Sequence, residues 1–194
     1  MECEWQVTSY LFRSPTCSFV IHKTSNKMNI KQNILEQVCN KSACTPGIDK
    51  LLDSSTKTEF IDCYFQYIDF CLAKKTPSVQ FIQTHFENKV LTENGVYVNA
   101  TDSVHNRRRC AVIGKSDMAL DYTDYSVGRV YVADSSRAEI NASGNAYVVV
   151  DAIDTAEVLV QASENAKVTV NAYSGAKASG NATIIHKKTD TYEL

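Results

Sequence analysis

The chain has 194 residues, enough for one or two domains with a sizeable core, and its 20 basic against 22 acidic side chains leave it almost neutral. That balance gives no global reason to expect nucleic acid or an anionic membrane as partner. Residues 1–109 carry 13 basic and 11 acidic groups and residues 110–194 carry 7 and 11, so the second half is only mildly acidic. No window reaches the ~18 consecutive apolar residues of a membrane-spanning helix.

The N-terminal stretch MECEWQVTSYLFRSPTCSFV does not read as a signal peptide. Glu2 and Glu4 stand where a basic region belongs, and Arg13 and Pro15 interrupt the apolar part. Residues 1–27 are set apart as an extension.

From Met28 the pattern turns helical, and a small helical domain is expected over 28–95. Ile30, Ile34, Leu35 and Val38 recur on one helix face. Thr45-Pro46 and Thr76-Pro77 each offer a hydroxyl N-cap with Pro at the first helical position, and Thr56 with Glu59 fits a capping box. The helix opened by that box, TEFIDCYFQYIDFCLAKK, carries Phe60, Ile61, Tyr64, Phe65, Ile68 and Leu72 on an arc wide enough to place it at the centre of a bundle. Its aromatics are expected to be core rather than the lining of a ligand pocket. Asn94-Gly95 marks a turn, Val96-Tyr97-Val98 begins extended structure, and 96–109 is read as a linker with a first strand.

Beyond it the chain repeats. Ala156, Val158, Val160 and Ala162 are followed ten positions later by Ala166, Val168, Val170 and Ala172, and preceded by Ala146, Val148, Val150 and Ala152. Ala138, Ile140 and Ala142 read as one shorter, eight-residue unit ending at Asn145. Gly128, Val130 and Val132 fit again, with Asp134 in the place of Ala, and Cys110 and Ala119 open two looser units. Alternation at period two means strands burying one face, and turn-formers such as Ser163-Glu164-Asn165 separate them. Ten extended residues span roughly 33 Å, too little to close a loop around a side-chain layer of ~10 Å. Ten residues are therefore half a coil. The expected fold is α+β: a small helical domain followed by a β-solenoid over 110–187, a two-sheet coil of about twenty residues, with a polar tail at 188–194.

This alanine- and valine-rich ladder resembles short-coil β-solenoid proteins, and a helical head feeding it is similar to uncharacterised proteins of bacteriophages and mobile elements. The resemblance covers Cys110 to Ile185 and lends no activity. A cytoplasmic or virion-associated protein is expected, the first because its cysteines read as reduced thiols.

Candidate chemistry is sparse. Seven cysteines, an odd number, read as reduced thiols packed as small hydrophobes. A zinc site from Cys39, Cys44, Cys63 and Cys71 is the sharper alternative, without C-x-x-C spacing. Asp117, Asp121, Asp124 and Asp134 are the carboxylates that a polysaccharide-cleaving coil would use, and Tyr122 and Tyr125 in DYTDYS could stack on a sugar. His22, His85, His105 and His186 are scattered, no phosphate-binding glycine motif occurs, and no cofactor or metal is expected. Arg107, Arg108 and Arg109 could grip phosphate, although a solvated loop blocking the solenoid end is the preferred reading and nucleic acid is not expected.

The function expected is a non-enzymatic structural or protein-interaction module. Its head would dock or oligomerise, and its solenoid would present a rigid surface to a protein partner or to another copy. Tyr122, Tyr125, Tyr147, Val149, Leu159, Lys167 and Arg107 to Arg109 form the candidate surface, with the row Tyr147/Val149/Asp151 stacking on Lys167/Thr169/Asn171. A carbohydrate-binding or carbohydrate-cleaving β-helix is the alternative, and no membrane role is expected.

Overall fold

The computed structural model describes residues 30–194, so the expectations for residues 1–27 lie outside the described residues. Six helices come first: α1 (Ile30–Asn40), α2 (Thr45–Asp53), α3 (Lys57–Gln66), α4 (Ile68–Lys74), α5 (Val79–His85) and α6 (Asn88–Glu93). Eleven strands follow: β1 (Val96–Val98), β2 (Thr101–His105), β3 (Arg109–Ile113), β4 (Asp117–Tyr122), β5 (Val127–Val132), β6 (Arg137–Ala142), β7 (Tyr147–Ala152), β8 (Glu157–Ala162), β9 (Lys167–Ala172), β10 (Lys177–Gly180) and β11 (Thr183–His186). Odd-numbered strands form one parallel sheet and even-numbered strands another. The chain thus winds as a β-solenoid with two walls.

The coil length follows from the register. Val127 lies opposite Tyr147 and Tyr147 opposite Lys167, while Asp117 lies opposite Arg137 and Arg137 opposite Glu157: twenty residues per turn, ten per wall. The row Tyr147/Val149/Asp151 does stack on Lys167/Thr169/Asn171. Val130, Val148, Val150, Ile140, Val158, Val160 and Val170 point inward and are buried, because alternate side chains of each wall face the opposite wall.

There is no eight-residue unit at Ala138. Ser136 occupies the slot filled by Ala146 and Ala156 elsewhere, and it is as buried as they are. Its hydroxyl is satisfied by the backbone N–H of Ser116, and Ser116 in turn donates to the Ile113 carbonyl at 2.9 Å. Shortened turns occur at the two ends instead. Val96 faces Ala111 and Thr169 faces Thr183, offsets of fifteen and fourteen residues.

The corners from β3 to β9 are turned by residues in the left-handed region, Gly114, Asp124, Asp134, Gly144, Asp154 and Glu164, one every ten residues, and the next by Gly175. Side chains at these positions also stitch successive coils. Asp154 accepts the N–H of Asp134 at 3.0 Å, Asp134 accepts that of Gly114 at 2.9 Å, and Glu164 accepts that of Gly144 at 2.8 Å. Asp134 is therefore a corner residue and not an interior rung.

In the head, the capping box of Thr56 and Glu59 opens α3 as expected. The long helix predicted from it breaks at Tyr67, which has φ −118° and ψ 36°, giving α3 and α4. Cys44 rather than Thr45 holds the N-cap position of α2, and Ser78 caps α5 in place of Thr76, its hydroxyl accepting the N–H of Phe81 at 3.2 Å. Phe60 and Phe65 are buried with Ile34, Val38, Leu51 and Leu72. The void they leave is about 70 Å³, smaller than the ~150 Å³ that accommodates benzene, so these aromatics are core and not a ligand pocket.

That core is completed by the solenoid. Ala111, Ile113, Ala133 and Ile153, outward-facing at one end of the odd strands, pack into the same cluster as Phe65 and Ile68. The head thus lies on the odd sheet. No helix among the described residues is long and apolar enough to cross a membrane.

Candidate interaction surface

Ion pairs tie the head down and consume much of the candidate arginine cluster. Arg109 pairs with Asp62 and sits over the Phe65 ring, 4.5 Å from its centre. Arg107 donates to the carbonyls of Glu93 and Thr92 at 3.2 and 3.1 Å, satisfying the C-terminal end of α6. Of the three arginines Arg108 alone is exposed. The three do not form one phosphate grip, because Arg107 and Arg109 are both held by the head. Lys75, at the C-cap of α4, reaches Asp134 at 2.8 Å and also Asp154, so it fastens the head to one corner column.

The acidic cluster is dispersed as well. Asp117 and Asp121 lie on the even sheet, and Asp124 and Asp134 turn opposite corners. Nor do Tyr122 and Tyr125 make a platform. Tyr122 is 1% exposed inside the first full coils, its hydroxyl donating to the Arg107 carbonyl at 2.9 Å, whereas Tyr125 stands 82% exposed on the corner. The parity of the strand separates them: Tyr122 continues the inward set of Met118 and Leu120.

Cys63 and Cys71 are buried in the head, Cys39 is half-buried and Cys44 is exposed; among the described residues no three His, Cys, Asp or Glu side chains gather as metal ligands. Burial pushes the thiols of Cys63 and Cys71 up and that of Cys110 up to about 12, so all three are protonated, apolar fillers.

The two walls now differ in kind. The odd sheet is covered by the head at Ala111, Ala133 and Ile153, and by the C-terminal tail at Asp151, leaving Tyr147, Val149 and Lys167 along one margin. Tyr147 is 47% exposed and lies beside the exposed Val127 across the ladder. The even sheet carries no such cover among the described residues. Its outward side chains fall into three straight rows, set by the register.

The first row is Thr101, Asp117, Arg137, Glu157 and Lys177, alternating in charge beyond its first member. Lys177 meets Glu157 at 2.8 Å, and this hydrogen bond lowers the carboxyl of Glu157 and raises the ammonium of Lys177. The middle row is Ser103, Ala119, Glu139, Leu159 and Ser179. Leu159 is its one large apolar side chain. In the third row, His105 lies 3.2 Å from Asp121, and Asn141 donates to the other oxygen of Asp121 at 2.9 Å. Gln161 donates diagonally to Glu139 at 2.8 Å. Beside it, Asn141, Ser143, Gln161, Ser163 and Asn181 line a shallow polar groove of about 490 Å³.

Several of these side chains are held by neighbours on rungs ~4.8 Å apart, Asn141 by Asp121, Gln161 by Glu139 and Lys177 by Glu157. Such a face offers a rigid array of donors, acceptors and alternating charge around one aliphatic centre. Binding to it orders few side chains. Of the candidate surface residues only Leu159 lies on this face, joined there by Asp117 and Asp121 from the carboxylate set; the charge row was visible in the sequence as Asp117, Arg137, Glu157 and Lys177, twenty residues apart and of alternating sign.

No family model, curated protein or solved structure matches the chain.

Proposed function

We propose that the protein is a non-enzymatic structural or interaction module that uses the outer face of the even sheet to hold a protein partner or another copy of itself. One observation carries this reading: of the two walls, the odd one is occupied by the chain's own head and tail, while the even one is flat, regular and open among the described residues. The alternating charges of the first row suit a partner bearing the complementary alternation, and Leu159 supplies the apolar contact at its centre.

Leu159→Glu and Arg137→Glu change outward side chains without touching the interior. The expected result is that proteins retained by the immobilised wild-type chain, or self-association seen in sedimentation, are lost with both variants and kept with a Tyr147→Ser control on the other wall. Equal retention by all four chains, or none by any, would overturn the reading.

A further inference from the structure

The tail past β11 turns back over the odd sheet. Lys187 N–H donates to the Ala172 carbonyl at 2.8 Å, and the Thr189 carbonyl accepts the N–H of Ser174 at 2.9 Å. Tyr192 then lays its ring against that of Tyr173, centres 5.2 Å apart and 61° between planes, and its hydroxyl donates to Asp151 at 2.7 Å.

Asp151 is 1% exposed, yet it does not depend on the tail. Asn171, its neighbour across the ladder, donates to one oxygen at 2.7 Å, and Arg129 donates to the other at 2.5 Å while packing over Tyr131. A carboxylate has about four acceptor positions. The sheet fills two, and of the remaining positions the outward one, beside the Tyr173 ring, takes a phenol. Burial and the adjacent Asp151 charge hold the Tyr192 hydroxyl protonated, the form that can donate.

The strap itself is lightly held. Asp190, Glu193 and Leu194 are exposed, and the Thr191 hydroxyl is buried with no hydrogen-bond partner among the described residues, which weakens docking. A preformed acceptor site and a loosely tethered side chain that fits it are the two halves of a recognition reaction.

We infer that Asp151, Arg129, Asn171 and Tyr173 form a binding site for a tyrosine carried on an extended peptide segment, which the chain's own residues 189–194 occupy as a tethered competitor. A partner presenting the same chemistry displaces the strap. This inference concerns the odd wall and does not depend on the even sheet binding anything.

The probe is the acetylated peptide TDTYEL, the sequence of residues 189–194. A short tether places the strap at roughly millimolar effective concentration, so for a peptide dissociating near ~0.1 mM the full chain carrying Tyr192→Ala binds it about tenfold more tightly than wild type. The same peptide with Phe for Tyr binds that variant about tenfold more weakly, having lost a bond to a charged acceptor. Equal affinity of wild type and variant, or of the two peptides, overturns the inference. Wild type provides a second readout that needs no variant. TDTYEL contains no Lys or Arg, and at saturation it accelerates trypsin cleavage after Lys187 and Lys188 several-fold if it displaces the strap. An unchanged cleavage rate also overturns it.

Discussion

Tyr122 and Gly128 show how closely this coil is fitted. A Cβ on Gly128 would stand 2.4 Å from the Tyr122 ring, so the large interior side chain at the end of β4 is accommodated by the absence of one at the start of β5. Gly128→Ala is expected to destabilise the chain by about 1–3 kcal/mol through overpacking. In a Tyr122→Val background, where the ring is gone, most of that loss should vanish in denaturant titrations. An equal loss in both backgrounds would mean the two residues do not meet. The same pair shows what is readable at this scale. Parity along β4 assigns Tyr122 to the interior, but an aromatic beside Tyr125 and two aspartates resembles a sugar platform until the inward set Met118, Leu120 and Tyr122 is followed through.

Among the elements, those with a local chemical cause were the ones most legible. Thr56 and Glu59 announce α3 because both partners of the capping box lie within one turn. Backbone N–H groups of Ser55 and Thr56 donate to the Glu59 carboxylate and hold it below the usual carboxylate range. A lowered folded value means that the contribution is present above the unfolded Glu value of about 4.3 and is lost as pH falls through the folded one. Wild type should therefore melt above Glu59→Gln at pH 7, and the gap should close as pH drops below about 4. A gap that widens in acid would contradict the assignment. The break at Tyr67 has no such local cause: an apolar arc running from Phe60 to Leu72 fits one helix as well as two. In the repeat, the unit at Ala138 reads as shortened because Ser136, a polar residue in an alanine slot, looks like an interruption. Ser136 is tolerated because Ser116 bonds to it. The left-handed corner every ten residues, Gly114 through Glu164, was equally present in the sequence, concealed by its use of Gly, Asp and Glu in turn.

For the whole molecule, the decisive arrangement is a two-walled coil with one wall occupied and one bare. Its period was legible from the Ala and Val ladder. The docking of the head was not, although Ile113, Ala133, Ile153 and Tyr173 form an outward column at intervals of twenty, because such a column is apolar only by contrast with its polar neighbours. Without the head, that column would stand in water. The candidate surface was only partly legible for the same reason: which wall is free depends on where the head and tail lie, and Leu159 emerges on the bare wall while Asp151 is sealed beneath Tyr192. The most direct measurement of this architecture is the nitration of individual tyrosines by tetranitromethane under native conditions, read by peptide mass spectrometry. Tyr125 and Tyr147, 82% and 47% exposed, should react readily, while Tyr97 and Tyr122, each 1% exposed, stay unmodified until the fold opens. Nitration of Tyr97 or Tyr122 at the rate of Tyr125 would contradict a coil of twenty residues with this inward set.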